Sequence, residues 1–385
     1  MVKRSLLTTG LLGAGLIASS LSNVYALPYG FYDARSVGMG NVSVATGGGT
    51  TAALSNPGML SINENNDDYA LLLPALGVQA IDDGNVVDLV DEFQAIGTPS
   101  DQADIDRQIE ILLELEDASL IAAVIPNAAF VVSGDNFSWG VSVRADAVVS
   151  SGLRNLTNVA PPFNALPDAD VVALGVAIVE IGVPLGTALS FAGMQLSVGV
   201  TPKYVQVNTI EYRESISTAT IENIKDAESE DLGSFTTVDA GAVLSIIDTF
   251  RVGIVAKNLI EETKYTTPGP VNSGVGVPVS FETQYRVGAA FDGGFFTLAA
   301  DMDLNERKPI GFENPSQSLS VGAEFNAFSV AQLRVGYQSN IASGATDPDL
   351  LSVGVGFWLG FNLDVAVVAG EDSSYGGFVQ TGFHF

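Results

Sequence analysis

The sequence predicts an all-β fold: a transmembrane antiparallel β-barrel of about fourteen strands, with an amino-terminal hatch and a helical external loop. Three observations predict it. The chain is 47% hydrophobic and 16% charged, yet no run of about twenty apolar residues follows its first thirty positions, which excludes helical spans. Apolar and polar residues alternate along many stretches, and short connections alternate with long ones. The chain also ends on an alternating, aromatic-tipped strand, Tyr375 to Phe385, as expected where a last strand closes on the first.

The amino terminus has the pattern of a secretory signal peptide over residues 1–26. Lys3 and Arg4 form its basic start, residues 6–17 its apolar middle, and Val24-Tyr25-Ala26 a small-residue cleavage site. An amino-terminal membrane anchor is the alternative, although glycines interrupt the apolar segment. We therefore expect cleavage near Ala26, a hatch over residues 27–67 and a barrel over 68–385.

The connections between strands give the strongest argument for a barrel. Long connections and brief turns alternate along the chain. The connections at the positions of long loops are 82–118, 150–170, 208–236, 266–279, 305–316, 339–349 and 370–374, of which the last is itself short. Outer-membrane barrels have brief periplasmic turns and long external loops. The predicted strands are 68–81, 119–133, 136–149, 171–190, 195–207, 237–247, 250–265, 280–291, 295–304, 317–325, 330–338, 350–358, 361–369 and the closing strand from 375.

Side-chain parity assigns the two faces of these strands. In the strand from 280, Phe281, Tyr285 and Phe291 alternate with Glu282, Gln284 and Arg286, so we expect the first set to face lipid and the second the lumen. The same reasoning gives thirteen charged lumen residues: Arg144, Asp146, Lys203, Asp239, Arg251, Lys257, Glu282, Arg286, Asp301, Asp303, Glu324, Arg334 and Asp364.

Bases and acids are nearly balanced in this set, although the whole chain has a net charge of −28. A balanced wall disfavours a cation-selective porin and favours a cross-strand network that joins barrel and hatch. A ligand-orienting role for Arg251, Arg286 or Arg334 is the alternative. Asp301 and Asp303 share a strand face and could hold an ion, but no further oxygen ligands lie in register, so we predict no metal site.

The loop 82–118 contains a helical pattern, in which apolar residues such as Leu89, Phe93, Ile109 and Leu112 recur at intervals of three or four. Two interpretations are open. The helices are an amphipathic lid that meets apolar ligands at the barrel mouth, or they pack against neighbouring loops and are structural.

Several segments of the chain carry a family resemblance. A Gly-rich segment followed by Asn56-Pro57-Gly58 resembles the hatch of FadL-type long-chain fatty-acid transporters, whose hatches usually read Asn-Pro-Ala. The segments DARSVGMG (33–40), PALGVQAIDDGN (74–85) and VAKNLI (255–260) more closely resemble the TraF-like barrels of conjugal transfer. The cysteine-containing, thioredoxin-like TraF proteins are excluded, because this chain has no cysteine.

The resemblance implies passive transport of hydrophobic small molecules across the outer membrane of a Gram-negative bacterium, gated by the hatch. Support of a conjugal-transfer-like envelope assembly is the alternative function. The expected partners are outer-membrane lipid, a hydrophobic ligand and the barrel-assembly machinery, which would engage the strand ending at Phe385. No cofactor is expected, and so acidic a chain has no general positive field for nucleic acid.

Enzymatic activity is not expected. His384 is the single histidine and lies at the terminus, where a Ser-His-Asp arrangement lacks positioned partners. Gly47-Gly48-Gly49 has no following Lys-Ser/Thr pair and is not a phosphate loop.

Overall fold

Strands dominate the structure, a computed structural model that describes residues 33–62, 68–116, 118–134, 137–159, 166–218, 229–247, 249–267, 276–307, 315–327, 330–345, 347–370 and 374–385. The predicted signal peptide and residues 27–32 and 63–67 of the predicted hatch lie outside these residues. Among the described residues, no helix combines the length and the apolar character that crossing a membrane requires.

The described helices are short. They are α1 (Ala34–Gly38), α2 (Gly49–Leu54), a 3₁₀ turn (Pro57–Met59), α3 (Val86–Ile96) and α4 (Gln102–Glu114). The strands are β1 (Tyr69–Asp83), β2 (Ser119–Val132), β3 (Phe137–Thr157), β4 (Asp168–Gly182), β5 (Leu185–Phe191), β6 (Met194–Ser215), β7 (Ser229–Ile247), β8 (Phe250–Lys257), β9 (Glu262–Tyr265), β10 (Pro278–Phe281), β11 (Gln284–Asp292), β12 (Phe296–Asp303), β13 (Ser318–Ala327), β14 (Ala331–Asn340), β15 (Leu350–Trp358), β16 (Asn362–Ala369) and β17 (Tyr375–His384).

The main sheet closes into an antiparallel barrel of fourteen strands, which confirms the predicted fold class. Neighbouring strands pair in chain order, and closure comes from β1 and β17, which pair from Ala70 with His384 to Ala80 with Tyr375. β4 and β5 count as one barrel strand, because both pair with β3 and β6 on either side of Val183-Pro184. β9 and β10 pair with each other in a separate two-stranded sheet.

Several predicted strands are interrupted in the structure. The predicted strand 171–190 breaks at Val183-Pro184, where proline cannot donate a ladder hydrogen bond. The predicted strands 250–265 and 280–291 break at 258–261 and 282–283. The prediction that Phe281 faces lipid is wrong: the second break turns Phe281 into the lumen, where it is buried. Glu282 lies in that break and not in a wall strand.

The wall is taller on one side than the sequence predicts. β3 continues to Thr157, β6 continues to Ser215 and β7 begins at Ser229, all within stretches predicted to be loops. The outer face of this tall section is covered by α3 and α4. The shared core contains Phe93, Ile111, Leu112 and Leu115 from the helical loop and Leu153, Val171, Ala173 and Tyr212 from the strands.

Candidate functional site

The barrel encloses the hatch, whose described part is residues 33–62. Asp33 caps α1 by accepting a hydrogen bond of 2.7 Å from the backbone N–H of Ser36. Asn56 caps the 3₁₀ turn, with Pro57 at its first position, where the absent N–H costs nothing. Elements of so few residues are too short to show a helical period in the sequence.

Asn56, Pro57 and Gly58 lie inside the barrel, against the wall strands β6 and β7. Asn56 is 0% exposed, its amide donates to the carbonyl of Val44 at 2.7 Å, and its carbonyl oxygen accepts from the N–H of Gly58 at 2.9 Å. The side chain therefore ties two parts of the hatch together.

Glycines of the inner wall provide the space for the hatch. A Cβ at Gly241 would lie 1.8 Å from Oδ1 of Asn56, and a Cβ at Gly199 would lie 2.1 Å from the carbonyl oxygen of Pro57. On the opposite side, a Cβ at Gly336 would lie 1.8 Å from the backbone nitrogen of Gly40. The wall meets hatch backbone at Gly199 and Gly336 and the Asn56 side chain at Gly241, so a side chain at any of the three would displace the hatch.

A charged network joins the hatch to the wall near α1. Arg35 donates from Nε and Nη2 to the two oxygens of Glu324, each at 3.0 Å, and from Nη1 to the carbonyl of Thr46 at 2.8 Å. Arg334 bridges Glu324 at 2.6 Å and Asp364 at 2.5 Å. Bidentate, buried pairs of this kind hold a fixed geometry.

Asp301 and Asp303 lie on the same inner face, but the two carboxylates have different partners. Oδ2 of Asp301 accepts the backbone N–H groups of Ser43 and Val44 at 2.8 and 3.0 Å. Asp303 pairs with the buried Arg286 at 3.1 Å and accepts from the N–H of Ser318. Among the described residues, no group of three or more histidines and carboxylates is placed to hold a metal ion.

A second ionic layer lies above the hatch, towards the long loops. Lys203 contacts Asp239 at 3.0 Å and Glu180 at 3.2 Å, while Lys257 donates to the carbonyl of Leu54, the last residue of α2, at 2.8 Å. A cation at a helix carboxyl terminus is favourably placed. Arg144 and Asp146 pair in the same layer, and Arg251 is buried on β8 below it.

Sequence reasoning missed an apolar region above this ionic layer, which we call the lumen cluster. Its wall residues are Ile121, Val148, Val172, Leu174, Val176, Ile178, Val205 and Val207, and packed on them are Val279 and Phe281 of β10 and Val277, which directly precedes β10. We call β9 and β10 the lumen hairpin. A signal was present: β4 is apolar at successive positions from Val171 to Leu174, as in strands covered on both faces.

One strand displays the order of the layers. On the inner face of β6, Val207 and Val205 belong to the lumen cluster, Lys203 to the ionic layer, and Gly199 contacts the hatch. At about 3.3 Å per residue, the lumen cluster is roughly 20 Å from the hatch contact.

A polar cavity of about 260 Å³ lies on the other side of the hatch, towards the short turns. Its lining includes Arg35, Glu324, Arg334, Asp364 and His384. The sequence did not connect His384 with this group of residues.

The outer surface of the barrel is apolar on every side. Exposed side chains include Val143, Ile181, Val200, Ile254, Tyr285, Leu298, Val321, Val335, Val353, Val367 and Val379. These residues alternate with the buried inner set, as the parity of the sequence predicts.

Solved structures with the same fold are transport proteins. The chain is similar to a FadL homologue from Pseudomonas aeruginosa (12% identity, 93% of this chain and 98% of that chain covered, TM-score 0.55). It is also similar to the CymD monoaromatic hydrocarbon channel (13%, 94% and 99%, 0.54) and to the toluene transporter TbuX from Ralstonia pickettii (11%, 93% and 99%, 0.52). Identities this low show the fold alone.

At the level of sequence, no protein of curated function matches the chain. The family described as "F plasmid transfer operon, TraF, protein" matches residues 53–303, which is more than half of the chain and extends from the hatch to β12. The protein therefore belongs to this TraF family and has the barrel fold of the FadL-type transporters.

Proposed function

We propose that this protein is an outer-membrane channel that lets hydrophobic small molecules pass passively. The observation that carries the proposal is the lumen cluster, an apolar region of eleven side chains inside the barrel, separated from the hatch by the ionic layer. The similarity to proteins described as a hydrocarbon channel and a toluene transporter supports the same function.

The exposed apolar surface of the strands supports a location in the outer membrane, with the long loops outside. In that orientation the lumen cluster is the first buried region that a solute from outside meets. Charges further in are paired with one another, so the inner wall has little excess charge to draw ions through the barrel.

A matched pair of double variants tests the function. Val205→Thr/Val207→Thr places two hydroxyls in the lumen cluster, and Val243→Thr/Val255→Thr makes the same chemical change at equally buried residues that pack against the hatch. Burying an unpaired hydroxyl costs about 1–3 kcal/mol, so we expect the first variant to bind apolar solutes on the order of tenfold more weakly.

The measurement is saturable binding of labelled toluene, dodecane and a long-chain fatty acid to purified protein, followed by uptake into cells with and without the gene. The second variant should retain wild-type affinity. If wild-type protein neither binds nor admits any of these solutes, transport is refuted, and support of an envelope assembly becomes the better hypothesis. Equal weakening by both variants would refute the assignment of the lumen cluster as the site.

A further inference from the structure

The lumen hairpin leaves the wall at two breaks that lie opposite each other. β8 ends at Lys257 and β9 begins at Glu262, while β10 ends at Phe281 and β11 begins at Gln284. Asn258 has a φ of 56°, a left-handed conformation that ends the extended strand. The side-chain oxygen of Thr283 donates to the carbonyl of Asn258 at 3.0 Å, so the two breaks are in contact and form one hinge line.

The inner face of the hairpin closes the lumen cluster. Val277 and Val279 are 0% exposed, and the ring of Phe281 lies 4.7 Å from the ring of Phe235 on β7, measured between centroids. These three side chains occupy apolar contacts that an entering apolar solute would otherwise make. An apolar solute can replace them without leaving the wall exposed to water.

The ties that hold the hairpin down, among the described contacts, are few and peripheral. Lys264 donates to the carbonyl of Ser234 at 3.5 Å, and the N–H of Thr267 donates to the carboxylate of Glu230 at 3.0 Å, at exposed positions. The two strands form no ladder with the barrel sheet. Elements with exposed hydrogen bonds and few backbone ties open at the lowest free-energy cost.

The hatch, unlike the hairpin, is fastened to the wall by buried and closely packed contacts. Buried ion pairs at Glu324, backbone hydrogen bonds to Asp301 and the close contacts at Gly199, Gly241 and Gly336 hold it from several sides. Opening the hatch would break these contacts together, whereas opening the hairpin exchanges apolar contacts for those of a solute.

We propose that the lumen hairpin is the entry gate of the lumen cluster and swings about residues 258–261 and 282–283 while the hatch stays seated. The role of the hairpin as a gate rests on the proposed function. The motion of the hairpin can be measured without any transport.

The absence of cysteine allows a direct test with single cysteines. Val279→Cys lies on the buried face of the hairpin and Val44→Cys is equally buried in the hatch, each at 0% exposure. Both proteins, folded in vesicles, are treated with N-ethylmaleimide. We expect Val279→Cys to react at least about tenfold faster than Val44→Cys, because labelling follows local opening. Val277→Cys serves if Val279→Cys does not fold. Equal rates, or faster labelling in the hatch, would overturn the gate.

A cross-link then connects the motion to passage. Lys264→Cys/Ser234→Cys, joined by a bifunctional thiol reagent about as long as the replaced lysine, fixes the hairpin to β7. Thr263→Cys/Ser280→Cys, at paired residues whose side-chain oxygens are 2.8 Å apart, joins β9 to β10 and leaves the hairpin free. We expect the first cross-link to slow uptake of toluene at least about tenfold and the second to leave it unchanged.

The outcomes separate the two proposals. If wild-type protein takes up no apolar solute, the proposed function fails, and the labelling rates still decide whether the hairpin opens. If wild-type protein takes up toluene and the hairpin fixed to β7 takes it up at the same rate, the gate is refuted and the channel stands.

Discussion

Replacing Gly241 by alanine should separate the hatch from the wall without changing any charge. The added Cβ would lie 1.8 Å from Oδ1 of Asn56, and 3.0 Å from both Cγ of Asn56 and the backbone nitrogen of Gly58. Ordinary carbon–oxygen contacts exceed 3 Å, so Asn56 must move by about 1 Å or more.

The magnitude follows from what that movement breaks. Asn56 would lose its hydrogen bonds to Val44 and Gly58, each worth about 0.5–1.5 kcal/mol, and overpacking of a buried site typically costs about 1–3 kcal/mol. We therefore expect Gly241→Ala to lower the free energy of unfolding by about 2–6 kcal/mol.

The assay is urea unfolding of the purified barrel in detergent micelles, together with protease digestion of the folded protein to detect a displaced hatch. Gly377→Ala is the matched control, because nothing lies within 4 Å of a Cβ added there. The control should be neutral or slightly stabilising, as expected for removing a glycine from a strand. A Gly241→Ala protein as stable and as protease-resistant as the control would refute the account of how the hatch is seated.

Three further predictions concern the network and the helical loop. Arg35→Lys keeps the charge but loses the bidentate contact with Glu324, so the hatch should become more sensitive to protease while the barrel stays folded. Leu112→Ala, at a residue with 0% exposure, should destabilise the helical loop by about 2–4 kcal/mol, seen as faster hydrogen exchange in α3 and α4 with unchanged exchange in the barrel. The hydrogen bond from Arg107 holds the pKa of Glu92 below its ordinary range. The ion pair therefore stabilises the helical loop at every pH above the ordinary carboxyl pKa. This stabilisation is lost as the pH falls through the lowered pKa of Glu92. Arg107→Gln should return the pKa of Glu92 towards its ordinary range in an NMR titration, and an unchanged pKa would contradict the assignment.

Leu112 also bears on the two interpretations of the loop 82–118. Its helices were predicted from the recurrence of apolar residues, and α3 and α4 confirm that pattern. The apolar face packs on the outside of the wall, against residues such as Leu153 and Val171, which favours the structural interpretation over a lid. The pattern could predict the helices but not the surface that they cover.

The fold was predictable because strand alternation and connection length are local properties of the chain. Period-two patterns lie in contiguous residues, and the order of short turns and long loops can be counted along the sequence. The Asn56-Pro57 motif was recognised differently, from its resemblance to the hatches of FadL-type transporters.

The contacts inside the lumen could not be predicted from such local patterns. The partners of Asp301, the glycines that receive the hatch and the breaks that turn Phe281 inward all join residues far apart in the sequence. Parity alone assigned Phe281 to lipid, because it assumes an unbroken strand.

The sequence by itself determined an acidic, cysteine-free antiparallel barrel with alternating faces, because those properties follow from local periodicity and composition. The tertiary structure decided which inner charges bind the hatch and which pair with one another within the wall, and it placed an apolar cluster above them, against β10. Such choices depend on which distant residues meet inside a closed barrel, and closure is a property of all fourteen strands together.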